Sequence, residues 1–481
     1  MSTASESASI SAPAPTHASE TPPTFDVRNP ATGETIQQVH DHSAEEAAAM
    51  VDAAQAAFLS WRDTSPRHRS EVLMSAYLGM RENAERLRDL IVAENGKSQS
   101  DAAAEVAYAS EFFRWYAEEA VRSPGDYTQA PAGGVRNIVT RHPVGVAVLI
   151  TPWNFPAAMA TRKIGPALAA GCSVLLKPAS ETPLTAFAIA EILATAGVPA
   201  GVVQVAASSR ASDVVTAWLA DDRVRKLSFT GSTGVGRRLL AQCAERVVNT
   251  SMELGGNAPF IVTSGADIDA AVEGAMLAKF RNGGQACTAA NRFYVHQDVL
   301  GEFTEKFGAK IAALSVGDPV QGADIGPVIT QKAADQIRGL VQGAVDQGAV
   351  VTAQAALPAG PDSAFVAPTL LTGVPMDAEI LEQEIFGPVA PVVAWTDLDA
   401  MIDLANAPEV GLSAYVYAGK LQTAMKIAER LEAGMVGVNR GIVSDPSAPF
   451  GGVKQAGIGR EGGAFGMEEF TEVQYLSVDW A

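Results

Sequence analysis

Residues 144–177 read VGVAVLITPWNFPAAMATRKIGPALAAGCSVLLK, and this stretch holds the repeating unit of the fold. Its two ends, VGVAVLI and SVLLK, are short continuous apolar runs, which predict strands buried on both faces. Between them, the loop TPWNFP precedes a segment with a helical pattern. A strand, a helix and a second strand in this order form the crossover unit from which parallel sheets are built.

The same alternation recurs along the chain. KLSF (226–229) is followed by TGSTGVG and a helical segment, and residues 258–280, 292–296 and 391–407 repeat the pattern in the second half. We therefore expect two α/β domains with doubly wound parallel sheets, and ligands bound beyond the carboxyl ends of the strands. At one such end, GSTGVG (231–236) is either a tight strand-to-helix turn or a phosphate seat on a helix N-terminus, and the sequence leaves both open.

The region before these units is mainly helical after a hairpin, which FDVRNPATGETIQQV predicts through its Asn-Pro and Thr-Gly turn signals. Three helices are predicted next: one after Ser43, whose capping-box partner is Glu46, one from Ser65-Pro66 toward ENGKS, and one within residues 101–122. Two later segments, VRNIVTR and the final FTEVQYLSV, show β alternation instead. The final strand has no partner near it in sequence, and such strands often pair across a subunit interface.

Composition narrows the class of protein. The chain has 481 residues, of which 47% are hydrophobic and 43 are glycine, enough for two or three domains with large cores. Its formal net charge of −19 argues against nucleic acid as a partner, and any anionic substrate would need local arginines. Three scattered cysteines predict no disulfide framework, and no cysteine or histidine spacing suggests a metal site.

The N-terminus predicts a cytoplasmic protein with a disordered tail. Residues 1–24 are rich in Ser, Ala, Pro and Thr, and they lack the basic start and apolar core of a signal peptide. VGVAVLI, the longest apolar stretch near the middle of the chain, is too short to span a bilayer. A soluble protein of a reducing compartment, without a membrane partner, is therefore expected.

Cys287 is the candidate nucleophile. It lies in NGGQACTAA among small and polar residues, whereas a structural cysteine usually packs in an apolar run. Glu253 precedes two glycines in ELGGNAP, and Asn154 follows a strand in TPWNFP, so two further loops supply a mobile carboxylate and an amide donor. An inert thiol is the usual alternative for a lone cysteine, and these neighbours favour a catalytic one.

Six segments together carry a resemblance that covers nearly the whole chain: TPWNFP, KPASETP, FTGSTGVGR, ELGGNAP, NGGQAC and EIFGPV. Their order and spacing, including the 34-residue step from Glu253 to Cys287, resemble the aldehyde dehydrogenase superfamily. The stretch SAPFGGVKQAGIGREGGAFGMEEF most resembles its succinate-semialdehyde dehydrogenases. The resemblance implies an NAD(P)-dependent dehydrogenase of α/β class, with two doubly wound parallel-sheet domains for cofactor and catalysis and a small β oligomerisation element.

The resemblance also implies a division of the chain into parts. After the tail at 1–24 come the cofactor domain (25–124 and 145–253), the catalytic domain (254–440), the oligomerisation element (125–144 and 465–481) and a loop that returns to the cofactor domain (441–464). The assembly implied is a homodimer or a tetramer of two dimers.

By the same resemblance, Cys287 attacks the aldehyde carbon, and Asn154 with the Cys287 backbone N–H stabilises the oxyanion. After hydride transfer to the nicotinamide, Glu253 activates the water that hydrolyses the thioester. The residues assigned to the cofactor are Trp153, Lys177, Ser180, Gly231, Ser232, Leu254, Glu384 and Phe386.

The cofactor preference is predicted from Ser180. Members that prefer NAD often carry an acid at this position, which would repel a 2′-phosphate, whereas a hydroxyl can donate to that phosphate and leaves Lys177 free to pair with it. NADP is therefore predicted, with NAD as the alternative. Glu181 follows directly, and the sequence does not show which way its carboxylate points.

The substrate is predicted from positive charge near the thiol. Arg162, Arg281 and Ser444 match the residues that hold the distal carboxylate in succinate-semialdehyde dehydrogenases, so the expected substrate is the small semialdehyde of succinate. Less specific candidates are Arg440 as a further charge, and Phe155, Phe280 and Phe450 as walls of the pocket or as core. The alternatives are glutarate semialdehyde or another ω-carboxy aldehyde, acylation of coenzyme A, which Glu253 counts against, and a non-catalytic protein on this fold.

Overall fold

The computed structural model of the chain describes residues 22–122, 125–358 and 364–480. Residues 1–21, which make up most of the predicted tail, lie outside this part of the chain, and the tail stays a prediction. No helix of the described residues has both the length and the apolar composition needed to cross a membrane.

The N-terminal region consists of a hairpin, four helices and two further strands. These elements are β1 (Thr24–Arg28), β2 (Thr35–His40), α1 (Ala44–Trp61), α2 (Pro66–Glu82), α3 (Ala84–Asn95), α4 (Gln99–Glu119), β3 (Asp126–Gln129) and β4 (Val135–Pro143). The predicted hairpin and both predicted helix starts are confirmed. Ser43 and Glu46 form the complete capping box, and the Ser65 hydroxyl accepts a hydrogen bond from the His68 N–H.

The second predicted helix is wrong as one element, because it breaks at Asn83 before it reaches ENGKS. The backbone there (φ −96°, ψ 16°) leaves the helical region, and Asn83 Nδ2 donates to the Gly79 carbonyl at 2.9 Å. A side chain that bonds to a nearby backbone carbonyl competes with the regular helical hydrogen bonds. Two helices, α2 and α3, therefore replace the one that the sequence predicted.

The rest of the chain alternates strands and helices. Residues 146–253 form β5 (Val146–Ile150), α5 (Pro156–Ala170), β6 (Ser173–Lys177), α6 (Leu184–Thr195), β7 (Val203–Val205), α7 (Ala211–Ala220), β8 (Val224–Thr230), α8 (Thr233–Ala244) and β9 (Asn249–Glu253). Residues 258–346 form β10 (Ala258–Val262), α9 (Ile268–Phe280), β11 (Ala290–His296), α10 (Leu300–Ala312) and α11 (Gln331–Asp346). Residues 350–438 form β12 (Val350–Gln354), β13 (Thr369–Thr372), α12 (Glu379–Glu382), β14 (Val389–Trp395), α13 (Leu398–Asn406), β15 (Val410–Gly411), β16 (Ser413–Tyr417), α14 (Leu421–Ala428) and β17 (Met435–Val438). The chain ends with β18 (Val453–Lys454), β19 (Gly457–Ile458), α15 (Phe465–Glu468) and β20 (Thr471–Asp479).

Two large sheets result, as the alternation predicted. The first has the order β19-β9-β8-β5-β6-β7, with every pair parallel except β19 with β9. The second has the order β12-β13-β14-β11-β10-β16-β17, with only the outer β12 antiparallel. The predicted boundary at 253/254 falls between β9 and β10, and the assignment of functions to the domains stays a prediction.

A third sheet of three antiparallel strands has the order β20-β4-β3. The sequence offered the final strand no partner nearby and favoured pairing across a subunit interface. Within the chain, β20 pairs with β4 from Thr471↔Pro143 to Asp479↔Val135, and the predicted role of this sheet in oligomerisation stays a prediction. The start of β20 is tied to the first sheet: the Phe470 carbonyl accepts from the Val144 N–H at 3.0 Å, and Glu469 pairs with the buried Lys226 at 3.0 Å. These contacts bring two segments that are distant in sequence side by side.

The carboxyl ends of the parallel strands position the functional residues. Neighbouring parallel strands end at the same edge of a sheet, so the loops after β5, β6 and β8 lie together, and Glu253 ends β9 beside them. Helix α4 packs against α5, with Phe112 and Phe113 fully buried in the same core cluster as Ile164 and Leu168. The first helical layer therefore supports the loop that precedes α5.

Candidate active site

The loop that carries Cys287 is held by unusual backbone geometry. Helix α9 ends at Phe280 and a short 3₁₀ turn follows, in which Asn282 has a left-handed backbone (φ 54°, ψ 35°). This conformation is uncommon for a residue other than glycine. Three hydrogen bonds hold it: the Asn282 N–H donates to Asp101 at 2.8 Å, and its amide donates to the carbonyls of Asn154 (2.8 Å) and Gln285 (3.0 Å). The nucleophile loop is thus fixed to both α4 and the Asn154 loop.

Cys287 is a free thiol that is partly buried. Burial raises the pKa of the Cys287 thiol to about 12, with Glu384 and Glu253 adding to the rise and Arg162 and Arg281 opposing it. The thiol is therefore protonated at neutral pH, and it becomes a nucleophile only by losing that proton. The small neighbouring residues predicted an open position, and the structure covers the thiol more than that pattern indicated.

Asn154 lies in the loop between β5 and α5, with 3% of its surface exposed. Its Nδ2 donates to the Gln285 carbonyl at 3.1 Å, and within the described residues its Oδ1 has no hydrogen-bond partner. A carboxamide carries two N–H donors, so one remains for an oxygen bound beside Cys287. This arrangement suits the oxyanion role that the resemblance implied.

Glu253 ends β9 and is buried, with 2% of its surface exposed. Neither carboxylate oxygen has a hydrogen-bond partner within the described part of the chain. Burial, together with the charge of Glu461, raises the pKa of Glu253 well above its usual range, and the cations Arg162 and Lys163 only partly oppose this. Glu253 is thus a protonated acid without fixed contacts, as suits a base that must move before it acts.

Glu461 and Lys163 complete this electrostatic network, and sequence reasoning missed both. Glu461 forms ion pairs with Lys163 and with Arg162 Nε (2.6 Å), and Lys163 Nζ also donates to Ser228 at 2.9 Å. Burial alone would raise the pKa of Glu461, but Lys163 and Arg162 hold it below its usual value. Glu461 is therefore charged, and it opposes a second charge on Glu253. The adjacent Arg-Lys pair in the otherwise apolar helix AAMATRKIGPALAA was the available signal.

A cavity of about 220 Å³ opens at Cys287 and Asn154. Its walls contain six of the residues predicted to bind the cofactor: Trp153, Gly231, Ser232, Leu254, Glu384 and Phe386. The rings of Trp153 and Phe386 meet edge to face with centroids 5.4 Å apart, and the Gly256 N–H donates to Glu384 at 3.2 Å. An apolar slot with one polar carboxylate beside the thiol fits a nicotinamide ring and its ribose.

The GSTGVG loop is a strand-to-helix turn, one of the two alternatives that the sequence left open, and its role as a phosphate seat stays a prediction. It makes the strand-to-helix turn from β8 to α8, and Ser232 is the N-cap residue of α8. The Ser232 side chain makes no capping hydrogen bond, so the first N–H groups of α8 remain available. Free N–H groups and the helix dipole favour an anion such as a pyrophosphate at this end.

Lys177, the last residue of β6, and Ser180, on the loop after it, do not line that cavity. Burial lowers the pKa of Lys177 to about 8, although Glu181 and Asp41 oppose the shift. Ser180 and Glu181 line a second cleft of about 710 Å³. The Ser180 hydroxyl donates to the Glu181 carboxylate at 3.1 Å, so this carboxylate points toward the position where the 2′-phosphate of NADP was predicted.

The three predicted carboxylate ligands lie near one hydroxyl, which the sequence did not single out. Tyr108, on α4, has a buried hydroxyl without a hydrogen-bond partner of good geometry in the described residues. Burial raises the pKa of this phenol, while the charges of Arg162 and Arg281 and the polar groups of Arg162 and Ser444 oppose the rise, so all three residues lie in its neighbourhood. Nothing in the apolar pattern of residues 101–122 distinguished Tyr108 from a core aromatic.

The two arginines differ in their pairing. Arg162 is 1% exposed and forms an ion pair with Glu461, and its guanidinium lies 4.0 Å from the centre of the Phe450 ring. Arg281 has no carboxylate partner among the described residues and lies 5.3 Å from the centre of the Phe155 ring. A half-buried arginine without a counterion indicates an anion-binding position.

The three candidate phenylalanines and Arg440 lie in different environments. Phe155 and Phe450 are buried beside these arginines, whereas Phe280 packs on Phe307 in the core of the second sheet. Arg440 is exposed and faces Asp445, whose pKa is lowered mainly by Ser447 and to a smaller extent by Arg440. Arg440 is therefore a charge on the outside of the loop and not part of the cluster around Tyr108.

The fold and this site define an aldehyde-oxidising enzyme of the α/β class, and comparison with known families agrees. Residues 17–476 match the aldehyde dehydrogenase family, and the chain belongs to it. The predicted family and fold class are thereby confirmed.

Relatives with particular activities cover nearly the whole chain. Succinate-semialdehyde dehydrogenase of Paenarthrobacter nicotinovorans is 51% identical over 91% of this chain and 97% of its own. Glutarate-semialdehyde dehydrogenase of Pseudomonas putida is 44% identical, covering 95% and 94% of the two chains. The crystal structure of an NADP-dependent Escherichia coli enzyme superposes with a TM-score of 0.93 at 44% identity, over 95% of each chain.

The raised pKa of Cys287 predicts how the free enzyme reacts with iodoacetamide. A thiol with a raised pKa is protonated at neutral pH, and its thiolate fraction grows about tenfold per pH unit until that pKa is reached. The rate of alkylation at Cys287, followed by mass spectrometry of its peptide, should therefore rise between about pH 7 and pH 10 without levelling off. A plateau below about pH 8 would contradict this, since it would mean that nearby cations outweigh burial.

Proposed function

We propose that the protein oxidises succinate semialdehyde to succinate with NADP, through a covalent intermediate on Cys287. The observation that supports this substrate is the position of two arginines, one of them (Arg281) without a carboxylate partner in the described residues, over the rings of Phe450 and Phe155, in the neighbourhood of Ser444 and the buried Tyr108 hydroxyl. The charges of both arginines act on the Cys287 thiol as well, so this cluster lies near the reacting sulfur. A short aldehyde with a carboxylate at its far end matches that arrangement.

Cys287 supplies the covalent step. Its thiolate adds to the aldehyde carbon, and the free N–H of Asn154 Nδ2 and the Cys287 backbone N–H stabilise the oxyanion as it forms. Trp153, Phe386 and Glu384 would hold the nicotinamide end, because they line the cavity beside the thiol, and the uncapped α8 N-terminus with Ser232 would hold the pyrophosphate. NADP, when bound, supplies the hydride acceptor that turns the thiohemiacetal on Cys287 into a thioester.

Glu253 supplies the base for the second half of the reaction. Its raised pKa means that it must lose a proton before it can activate water, and its unbonded carboxylate is free to move toward the thioester. Because a raised acid pKa places deprotonation at higher pH, hydrolysis of the thioester should become faster as pH rises through that pKa.

Replacing Glu253 with glutamine should slow hydrolysis of the thioester more than hydride transfer. Glu253→Gln should then release about one NADPH per active site in a fast burst, followed by slow turnover. Rapid-mixing absorbance measurements of NADPH over a range of pH values would show this. If the variant has the steady-state rate and pH profile of the wild type, Glu253 is not the base.

The carboxylate cluster predicts substrate preference. A hydrogen bond to a charged group contributes about 1.5–3 kcal/mol, so losing one should lower kcat/KM by about 10- to 150-fold. We expect this loss for succinate semialdehyde in Arg281→Met and in Tyr108→Phe, and a loss of less than about threefold for an uncharged aldehyde of similar length. Steady-state kinetics with both substrates provide the measurement.

The control for Tyr108→Phe is Tyr77→Phe, which removes a phenol hydroxyl from α2 beside Arg114. This variant should leave kcat/KM unchanged for both substrates. Equal losses on charged and uncharged aldehydes would reject the carboxylate pocket. Glutarate semialdehyde is the second candidate substrate, because a relative with that name is 44% identical. It should be measured in the same series, and a higher kcat/KM for it than for succinate semialdehyde would favour the longer substrate.

NADP is proposed as the cofactor because Ser180 has no charge and Lys177 lies beside it, but Glu181 weakens the preference. Its carboxylate accepts from Ser180 at 3.1 Å, and a carboxylate repels a 2′-phosphate.

Glu181→Gln should therefore raise the ratio of kcat/KM for NADP to that for NAD, by about 5- to 30-fold if about 1–2 kcal/mol of repulsion is removed. The kcat/KM for NADP should rise, whereas the kcat/KM for NAD should change little. An unchanged ratio would mean that Glu181 turns away from the ribose when the cofactor binds.

We further propose a homodimer or a tetramer of two dimers, located in the cytoplasm. The sheet β20-β4-β3 exposes large apolar side chains, among them Tyr127 and Val473 at 60% each and Tyr475 at 57%. Exposed apolar surface and free strand edges favour association with another copy. Three free thiols suit a reducing compartment.

A further inference from the structure

A buried ion pair outside the reacting groups joins the first helical layer to the catalytic loops. Lys97 follows the end of α3, Glu105 lies on α4, and both side chains are 0% exposed with Nζ and Oε2 2.5 Å apart. Replacing a buried ion pair with well-packed apolar residues is often neutral for stability. Stability alone therefore gives no reason for two charges at this position, and their other contacts become informative.

Lys97 binds the main chain of Asn154. Its Nζ donates to the Asn154 carbonyl at 2.8 Å and lies 4.1 Å from the centre of the Phe155 ring. Two residues earlier, Asn95 Nδ2 donates to the Trp153 carbonyl at 2.9 Å. Consecutive peptide groups of the TPWNFP loop are thus held by the end of α3 and the segment that follows it.

Glu105 binds the start of the next helix. Its Oε1 accepts from the N–H groups of Ala157 (2.9 Å) and Ala158 (3.2 Å), the second and third residues of α5. The N-cap residue Phe155 provides no side-chain cap, so Glu105 takes the place of one. The Asn154 loop is therefore fixed on its carbonyl side by a cation and on the helix side by an anion.

The same helix also fixes the nucleophile loop. Asp101, one turn before Glu105 on α4, accepts from the Asn282 N–H, and Asn282 donates to the Asn154 carbonyl. The Asn154 carbonyl thus receives two donors, one from Lys97 and one from the loop of Cys287.

We propose that Lys97 and Glu105 are positioning residues, which hold the Asn154 main chain so that its amide meets the oxyanion formed at Cys287. This inference rests on the proposed role of Asn154. An oxyanion donor is effective only when it is already in place, and misplacement by about 1 Å can lower the rate about 100-fold. A cation at the carbonyl and an anion at the helix start restrict the loop more than neutral hydrogen bonds would.

A double-mutant cycle separates positioning from general damage to the structure. The measured quantity is the single-turnover rate of NADPH formation at saturating NADP and succinate semialdehyde. We expect Asn154→Ala to lower this rate by about 100- to 1,000-fold, as for other oxyanion donors, and Lys97→Met to lower it by about 10- to 100-fold. In the Asn154→Ala background, Lys97→Met should lower it by less than about threefold, because the group that it positions is already absent.

Glu105→Gln provides a second variant that keeps the shape of the side chain, and it carries the same cycle if Lys97→Met does not fold. The matched control is Arg69→Met. Arg69 is also a buried cation bonded to a backbone carbonyl of α5, with its Nε 2.9 Å from Ala169 O at the opposite end of the helix. Arg69→Met should lower Tm without changing the single-turnover rate.

The outcomes are distinct. Equal factors for Lys97→Met or Glu105→Gln in both backgrounds, or a wild-type rate in either single variant, would overturn the positioning role while leaving the proposed function intact. A wild-type rate in Asn154→Ala would instead remove the oxyanion mechanism, and the positioning role with it. The proposal is supported if Lys97→Met and Glu105→Gln lower the single-turnover rate strongly in the wild type and only slightly in the Asn154→Ala background.

Discussion

Buried charge is the constraint on which the active site depends. Three buried lysines each pair with a glutamate from another part of the structure: Lys97 with Glu105 on the next helix, and Lys163 and Lys226 with Glu461 and Glu469 near the end of the chain. Taking such charges out of water is costly unless each finds its partner in good geometry. The loops that carry these groups are therefore restricted to arrangements in which all the pairs form, and those arrangements bring the thiol, the amide and the carboxylic acid together.

The cost of burying an unpaired charge also explains the protonation states of the site before reaction. Glu461 carries the negative charge because two cations contact it, and Glu253, without a partner, remains protonated beside it. Cys287 is protonated for the related reason that burial outweighs its nearby arginines. Both groups on which the chemistry depends are therefore neutral before reaction, and proton loss is part of each chemical step.

Sequence patterns predicted the parts of the molecule that repeat or that stand at strand ends. Continuous apolar runs such as SVLLK identified both parallel sheets, and the loop positions of Asn154, Glu253 and Cys287 followed from the carboxyl ends of strands. Contacts between distant segments were not predictable from these patterns. The segments of β4 and β20, which pair, were grouped only by the family resemblance, and Tyr108 lies near Arg162, Arg281 and Ser444 although the pattern of its helix is typical of core. The helix break at Asn83 was also missed. There the side-chain amide bonds to the Gly79 carbonyl in competition with the backbone, and it ends a helix that the apolar periodicity would continue.

Arg162 contacts Glu461 with one nitrogen and faces Tyr108, so it takes part in two sites at once. An anion that binds at Tyr108 lessens the influence of Arg162 on its acidic neighbours, and their affinity for protons then increases. Thermodynamic reciprocity requires the converse, that proton uptake at these acids strengthens the binding of such an anion. In the proposed function, substrate recognition and acid–base equilibrium would thus be coupled through a single guanidinium, and a carboxylated aldehyde and an uncharged one would place the enzyme in different protonation states before either reacts.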